Sequence, residues 1–327
     1  MCTALNYVNG HHLFGRNLDL ETDYPVGSLI MPRKYPLALR NGTTVENHYA
    51  TLGVGMKVGG FPLYFDAINE KGLGCENLAF FGMAYFPDPQ EGKNNIASFE
   101  LIPYLLATCA TVQEAREKLK DICIDNTAFS DQFPVEKLHW MVGDRHESIV
   151  IETTKEKGLV VYDNPYGVMT NCPDFEYQMQ NLSYYANVTG RDISIRFARD
   201  PKTMWEYSRG MGTIGLPGGT DSVSRFVRAT FTKLNSFCDP EDTEKNIAEF
   251  FHILSNVQQV NGETELKSGK YEITLYTSCL DTDDFRLYYN TYYNPSLNGV
   301  DGRKFDLDAG ECSWIPFEKN LQVTMQN

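Results

Sequence analysis

The reading of the fold turns on the first twenty residues, Met1-Cys2-Thr3-Ala4-Leu5-Asn6-Tyr7-Val8-Asn9-Gly10-His11-His12-Leu13-Phe14-Gly15-Arg16-Asn17-Leu18-Asp19-Leu20. Two apolar-rich runs, Thr3 to Val8 and His12 to Leu18, flank Asn9-Gly10. Asn-Gly between such runs is the strongest short hairpin signal, because both residues tolerate positive φ. A two-residue turn is predicted there. It sets Cys2 at the start of one strand, with Arg16 and Asp19 at the far end of its partner. The hairpin therefore brings Cys2, Arg16 and Asp19 together.

The position of Cys2 carries chemistry. Methionine aminopeptidase removes Met1 when the second residue is small, and Cys qualifies. Processing leaves a thiol and a free α-amine on one residue. An α-amine has an ordinary pKa of about 7.7–8.0, so it can accept the thiol proton near neutral pH. Nucleophile and base then come from a single residue, and no histidine is needed. Position alone also allows an incidental cysteine after the start codon; the neighbouring Arg16 and Asp19 favour the chemical reading.

Further strands are predicted at Tyr49 to Val58, Pro62 to Asn69 and Gly72 to Leu78. A helix follows over Phe99 to Cys109. Thr111-Val112-Gln113-Glu114 reads as a capping box opening a second helix to Ile122. Strands are predicted at Leu138 to Gly143, Ser148 to Glu152 and Gly158 to Tyr162. Loops and short elements fill Pro173 to Pro217. Ser222 to Asn235 and Asp239 to Val257 read as helices, the latter with Asp239 as N-cap and Pro240 in the first turn. Tyr271 to Cys279 and Phe285 to Tyr292 are closing strands. No linker or charge run divides the 327 residues, so 1–327 reads as one α+β domain with layered sheets and helices outside.

Composition narrows the function classes. There are 29 Lys+Arg against 43 Asp+Glu, a net charge of −14, which argues against nucleic acid and anionic membranes as partners. With 42% hydrophobic and 22% charged residues the chain is globular. No secretory leader and no run long enough to span a membrane is visible, so a cytoplasmic location is expected. The 8 cysteines lack a CxxC pair and are expected as reduced thiols. Gly210-Met211-Gly212-Thr213-Ile214-Gly215 matches G-x-G-x-x-G, but Leu216-Pro217-Gly218-Gly219 breaks the helix that a dinucleotide site needs. The pair His11-His12 is expected exposed beside the turn, and His139 in its apolar strand as a satisfied core residue. No metal-ligand spacing appears, so no metal or cofactor is expected.

The opening motif, with Gly15-Arg16-Asn17-Leu18-Asp19, resembles the choloylglycine hydrolase family, which contains bile salt hydrolases and penicillin V acylases. The likeness continues in Pro62-Leu63-Tyr64-Phe65-Asp66-Ala67, Leu138-His139-Trp140, Asp163-Asn164-Pro165, Gly167-Val168-Met169-Thr170-Asn171 and Ser224-Arg225. It spans essentially the whole chain. The resemblance implies the N-terminal nucleophile hydrolase fold, a four-layer αββα sandwich of two mainly antiparallel sheets. It implies hydrolysis of an amide C–N bond, commonly by a homotetramer. Carried onto this sequence, Cys2 is nucleophile and base, Asp19 orients the amine and Arg16 favours the thiolate. Asn171 donates to the oxyanion, and Arg225 completes the polar network. The backbone N–H of Ala79 is the second oxyanion donor. Bile salt hydrolases usually carry Asn there and penicillin V acylases Tyr, so Ala79 keeps the N–H and loses the side chain. A conjugated bile acid is the expected substrate. Penicillin V and, more weakly, N-acyl homoserine lactones are alternatives, and a chain retaining Met1 would be an inactive binder. The bulky acyl group needs apolar walls; the candidates are Phe61, Phe65, Phe80, Phe129 and Phe133.

Overall fold

A computed structural model describes residues 1–200 and 202–327. In chain order the strands are β1 Cys2–Asn9, β2 His11–Leu20, β3 Gly27–Met31, β4 Leu37–Ala38, β5 Thr44–Val45, β6 Thr51–Val58, β7 Phe61–Asn69, β8 Gly74–Ala79 and β9 Asn94–Ala97. Helices α1 Leu101–Thr108 and α2 Val112–Leu119 follow, then β10 Ile122–Asp125, β11 Leu138–Gly143, β12 Ser148–Thr154, β13 Gly158–Asp163 and β14 Val168–Met169. Three helices, α3 Phe175–Asn181, α4 Ser222–Asn235 and α5 Thr243–Ser255, precede β15 Ile273–Asp281, β16 Arg286–Thr291, β17 Asn294–Asp301 and β18 Ser313–Pro316.

Two large sheets carry the architecture. One has six strands in the order β14-β1-β2-β15-β16-β17, the other eight in the order β13-β12-β11-β8-β7-β6-β3-β18. All the pairings within them are antiparallel. β1 lies against β8 and β2 against β7, so the sheets stack face to face. The outer face of the six-stranded sheet is covered by α4 and α5, and that of the eight-stranded sheet by α1. This is the four-layer αββα sandwich of the N-terminal nucleophile hydrolases. Each sheet buries one face on its helices and the other on its partner sheet, which explains the nearly unbroken burial of β2, β3 and β12.

The opening hairpin differs from expectation by one residue. Its register pairs Val8 with His12 and Cys2 with Leu18, leaving Gly10 at the apex with φ +73°. A two-residue turn would have paired Val8 with His11. Asn9 Nδ2 donates to Cys238 O at 3.0 Å and Asn246 Oδ1 at 2.6 Å, so distant chain shapes the turn. A Cβ at Gly10 would run into the Pro240 carbonyl.

Two other boundaries move for local reasons. Thr111 caps α2 by accepting from Glu114 N at 3.2 Å, but Glu114 reaches back to Ala110 N. The helix ends at Leu119, and Ile122–Asp125 becomes a strand parallel to β9. The N-cap of α5 is Asp242, accepting from Lys245 N, rather than Asp239, whose carboxylate accepts from Glu241 N in the preceding turn. Gly210 to Gly215 holds only the short 3-10 turn Met211–Thr213, and no helix follows it until α4. His12 is buried, against expectation: its ring lies on Asn6 Oδ1 and Thr282 Oγ1, and burial pushes its pKa down to about 4. All eight cysteines are free thiols.

Candidate active site

Alternation along β1 and β2 divides the hairpin into two faces. Thr3, Leu5 and Tyr7 face the helices, where Tyr7 packs edge-on to Phe250 of α5. Cys2, Ala4 and Asn6 face the other sheet. In the observed register Ala4 is opposite Arg16, so Arg16 shares the face of the Cys2 thiol. Asn17 and Asp19 lie on the helix face, and Asn17 Nδ2 donates to Leu254 O at 2.9 Å. A one-residue slip would have exchanged these roles. Cys2 is therefore approached from two sides by two polar groups.

On the sheet-facing side Arg16 is 1% exposed. Its Nη1 donates to Asn77 O and to Phe65 O, the latter at 3.3 Å. Asp66 and Glu76 stand opposite each other on β7 and β8. Tyr276 and Ser278 donate to Asp66 at 2.6 and 2.7 Å, whereas both oxygens of buried Glu76 lack a partner. Burial opposes the Arg16 charge, but Cys2, Tyr276, Asp66 and Glu76 around it hold its pKa above the ordinary value. Burial raises the Asp66 carboxyl, against the pull of Arg16 and the two hydroxyls. Glu76 is raised well above the carboxylate range, by burial and by Asp66 and Cys2, with Arg16 opposing.

The β7–β8 ladder runs from Ile68↔Gly74 to Asp66↔Glu76 and stops there. Phe80 N donates to Lys137 O, so alternation turns the polar groups of Asn77 and Ala79 away from β11 and into the gap that β7 leaves. Two partners bear this out. Asn77 O receives Arg16 Nη1, and Ala79 O receives Asn171 Nδ2 at 2.8 Å. The Ala79 N–H points into the same gap, beside the end of β1.

Asn171 follows β14, the strand that pairs with β1. Its backbone N donates to Ser222 Oγ at 2.9 Å, at the start of α4. Its Oδ1 accepts from Cys2 N at 2.7 Å and from Arg225 Nη2 at 2.8 Å. Arginine only donates, so this contact fixes which side-chain atom is oxygen. Arg225, fully buried on α4, also donates to Cys2 O, to Thr3 Oγ1 at 2.7 Å and, from Nε, to Thr220 O at 2.9 Å. Burial lowers its pKa, against Asp19, Cys2 and Glu272.

Met1 prolongs the hairpin. Its amine donates to Asp19 O at 2.7 Å and to Glu272 Oε1 at 2.8 Å. Asp19 is fully buried; Oδ1 accepts from Thr274 Oγ1 at 2.6 Å, while Oδ2 has no partner. Burial raises its pKa, opposed by Arg225 and the terminal amine. Sequence reasoning missed Asp66, Glu76, Ser222 and Glu272 around this centre; Asp66 stood inside a quoted motif without a role.

The aromatic candidates separate. Phe65 tilts against Tyr24 beside the core that contains Cys2, and its carbonyl receives Arg16. Phe80 is buried and stacked on His139. Phe61, Phe129 and Phe133 cluster with Phe99 under Arg40, and Phe61 packs on the core beneath α1 and α2. Burial pushes the Cys172 thiol up to about 11, and its Sγ donates to Phe81 O at 3.0 Å.

Known proteins match this chain throughout. It is 44% identical over 327 residues to the bile salt hydrolase/transferase of Lactiplantibacillus plantarum, covering 100% of both chains. The structure superposes on the C2A mutant of conjugated bile acid hydrolase from Clostridium perfringens with a TM-score of 0.93, at 35% identity and full coverage of both. Penicillin V acylase from Agrobacterium tumefaciens shares the fold, with a TM-score of 0.74 at 20% identity over 99% and 100% of the two chains. Residues 2–314 match the linear amide C–N hydrolases of the choloylglycine hydrolase family, and the chain belongs to that family of hydrolases.

Proposed function

We propose that this enzyme hydrolyses glycine- or taurine-conjugated bile acids, with Cys2 as nucleophile once Met1 is removed. The observation that carries the mechanism is the polar cage around Cys2. Its N–H is bound by Asn171 Oδ1, Arg225 fixes that oxygen, and buried Asp19 Oδ2 lacks a partner while Met1 is attached. Removing Met1 turns the Cys2 amide into an amine with additional hydrogens to donate. Asp19 is the adjacent acceptor for one of them, which gives its orphaned oxygen a purpose. The choice of bile acid rests on likeness to the bile salt hydrolase/transferase of L. plantarum.

The steps follow. The α-amine takes the thiol proton, and the thiolate attacks the amide carbon, forming a C–S bond and an oxyanion. Ala79 N–H and the second hydrogen of Asn171 Nδ2 stabilise that oxyanion. The α-ammonium protonates the leaving nitrogen as the C–N bond breaks, freeing glycine or taurine and leaving a thioester. Water, deprotonated by the amine, adds to the thioester carbon; the C–S bond then breaks, the ammonium returns its proton to the sulfur, and the bile acid leaves. Arg16 is the cation on the thiolate's face. Among the proposed acyl-pocket residues Phe65 meets Arg16 through its carbonyl and Phe80 directly follows Ala79, while Phe61, Phe129 and Phe133 form a separate cluster with Phe99.

We read residues 1–327 as one cytoplasmic domain that acts as a homotetramer. Tyr184, Phe197, Trp205, Tyr207 and Ile214 expose apolar surface between α3 and α4, which suits burial by another copy. Among the described residues no helix is long and apolar enough to cross a membrane.

Rates on glycocholate, taurocholate and penicillin V, compared side by side, test the substrate assignment. Release of glycine or taurine is expected to dominate. Cleavage of penicillin V with both bile salts untouched would overturn it in favour of an acylase.

A further inference from the structure

His139 lies outside the residues that touch Cys2, and as a core histidine it needs only partners for its two nitrogens. It has more than that. On β11 it stands opposite Leu78 of β8 and is 2% exposed. Its Nε2 lies 2.8 Å from Thr170 O and its Nδ1 3.2 Å from Glu152 Oε1. Its face stacks on Phe80, with ring centroids 4.4 Å apart and planes within 6°. Phe80 directly follows Ala79, and Thr170 directly precedes Asn171. The two groups assigned to the oxyanion thus come from different sheets, β8 in one and the end of β14 in the other. One imidazole touches the chain neighbour of each.

We propose that His139 is a positioning residue that sets the separation between the Ala79 N–H and the Asn171 side-chain amide. The proposal rests on the oxyanion assignment above. The Thr170–Asn171 peptide unit is pinned at both ends: His139 holds its carbonyl, and Ser222 Oγ accepts from its N–H at 2.9 Å. Glu152 Oε1, itself anchored by Phe175 N at 3.0 Å, stops the ring from rotating. Thr170 O can only accept, so Nε2 carries a hydrogen and donates to it. The flat stack then fixes the height of Phe80, and with it the end of β8. Misplacing a catalytic group by about 1 Å can cost roughly 10²-fold in rate, so a single rigid spacer between the donors matters.

Two variants separate the two contacts. His139→Gln keeps a donor for Thr170 O and loses the ring face; His139→Phe keeps the face and loses the donor. Each is expected to lower kcat for glycocholate roughly 10- to 100-fold with KM changed less than about twofold. Alkylation of Cys2 by iodoacetamide, read from the mass of the N-terminal peptide, is the control. There the sulfur–carbon bond forms as iodide leaves and the thiol proton passes to solvent, so no oxyanion arises. Its rate is expected to match the parent enzyme. Adding His139→Phe to Asn171→Ala is expected to cost less than the two separate losses combined. Unchanged kcat in the folded variants, or kcat and alkylation falling together, overturns the proposal. If His139→Phe does not fold because Glu152 loses its partner, His139→Gln decides alone. Should Asn171→Ala itself leave kcat unchanged, the oxyanion assignment fails, a result distinct from failure at His139.

Discussion

At the scale of the residue, each proposed role has its own signature. Cys2→Ser keeps a side chain of similar size and the backbone contacts but removes the thiolate, so glycine release from glycocholate, followed with ninhydrin, is expected to vanish while circular dichroism stays unchanged. Asn171→Ala removes one oxyanion donor and the acceptor for Cys2 N. A loss of about 10²–10³ in kcat is expected from the donor alone, about 3–4 kcal/mol of transition-state stabilisation. A loss below tenfold in steady-state kinetics would count against that role. Arg225 was singled out only through family likeness. The hairpin alone brought Asp19 near Cys2 without saying that it lies on the opposite face of the strand. That face was decided by the register, one residue away from the expected one.

At the scale of the element, two features hold the site. Gly10 is required both for φ +73° and for the close approach of the Pro240 carbonyl. Gly10→Ala is expected to destabilise the fold by at least about 1–2 kcal/mol from the left-handed conformation alone, seen as an earlier midpoint in urea. Helix α4 presents both Ser222 and Arg225 to Asn171, and Asp221 caps it by accepting from Val223 N and Ser224 N at 3.0 and 3.1 Å. Asp221→Ala is expected to cost about 1 kcal/mol in the same assay. Elements with strong local signals were legible: Leu138–Gly143 and Ser222–Asn235 agree to the residue. What could not be read locally depended on distant chain. Among the described residues β18 pairs with β3, which pairs in turn with β6, and neither stands out by alternation. The short apolar run Ile122–Asp125 suits a helix or a strand, and pairing with β9 decides it. Asp239 and Asp242 are both good caps, and the turn closed by Asp242 N on Asp239 O selects the second.

At the scale of the whole molecule, charge is distributed unevenly. The chain carries −14, yet two buried arginines flank Cys2. The acids beside them, Asp19, Asp66 and Glu76, all have raised pKa values because of burial. The folded state therefore holds protons that the unfolded state releases, and stability falls as pH rises above the ordinary carboxylate range. Glu76→Gln removes one such group. It is expected to raise the melting temperature at pH 8 clearly more than at pH 4; an equal shift at both would contradict the assignment. The central claim is that Cys2, freed of Met1, does the chemistry, and trapping the intermediate tests it most directly. The enzyme is quenched with acid during turnover of glycocholate, and its N-terminal peptide is weighed. The account predicts a peptide that begins at Cys2 and carries a choloyl thioester on it. Turnover by a chain that still carries Met1, or an acyl group on any other residue, would contradict it.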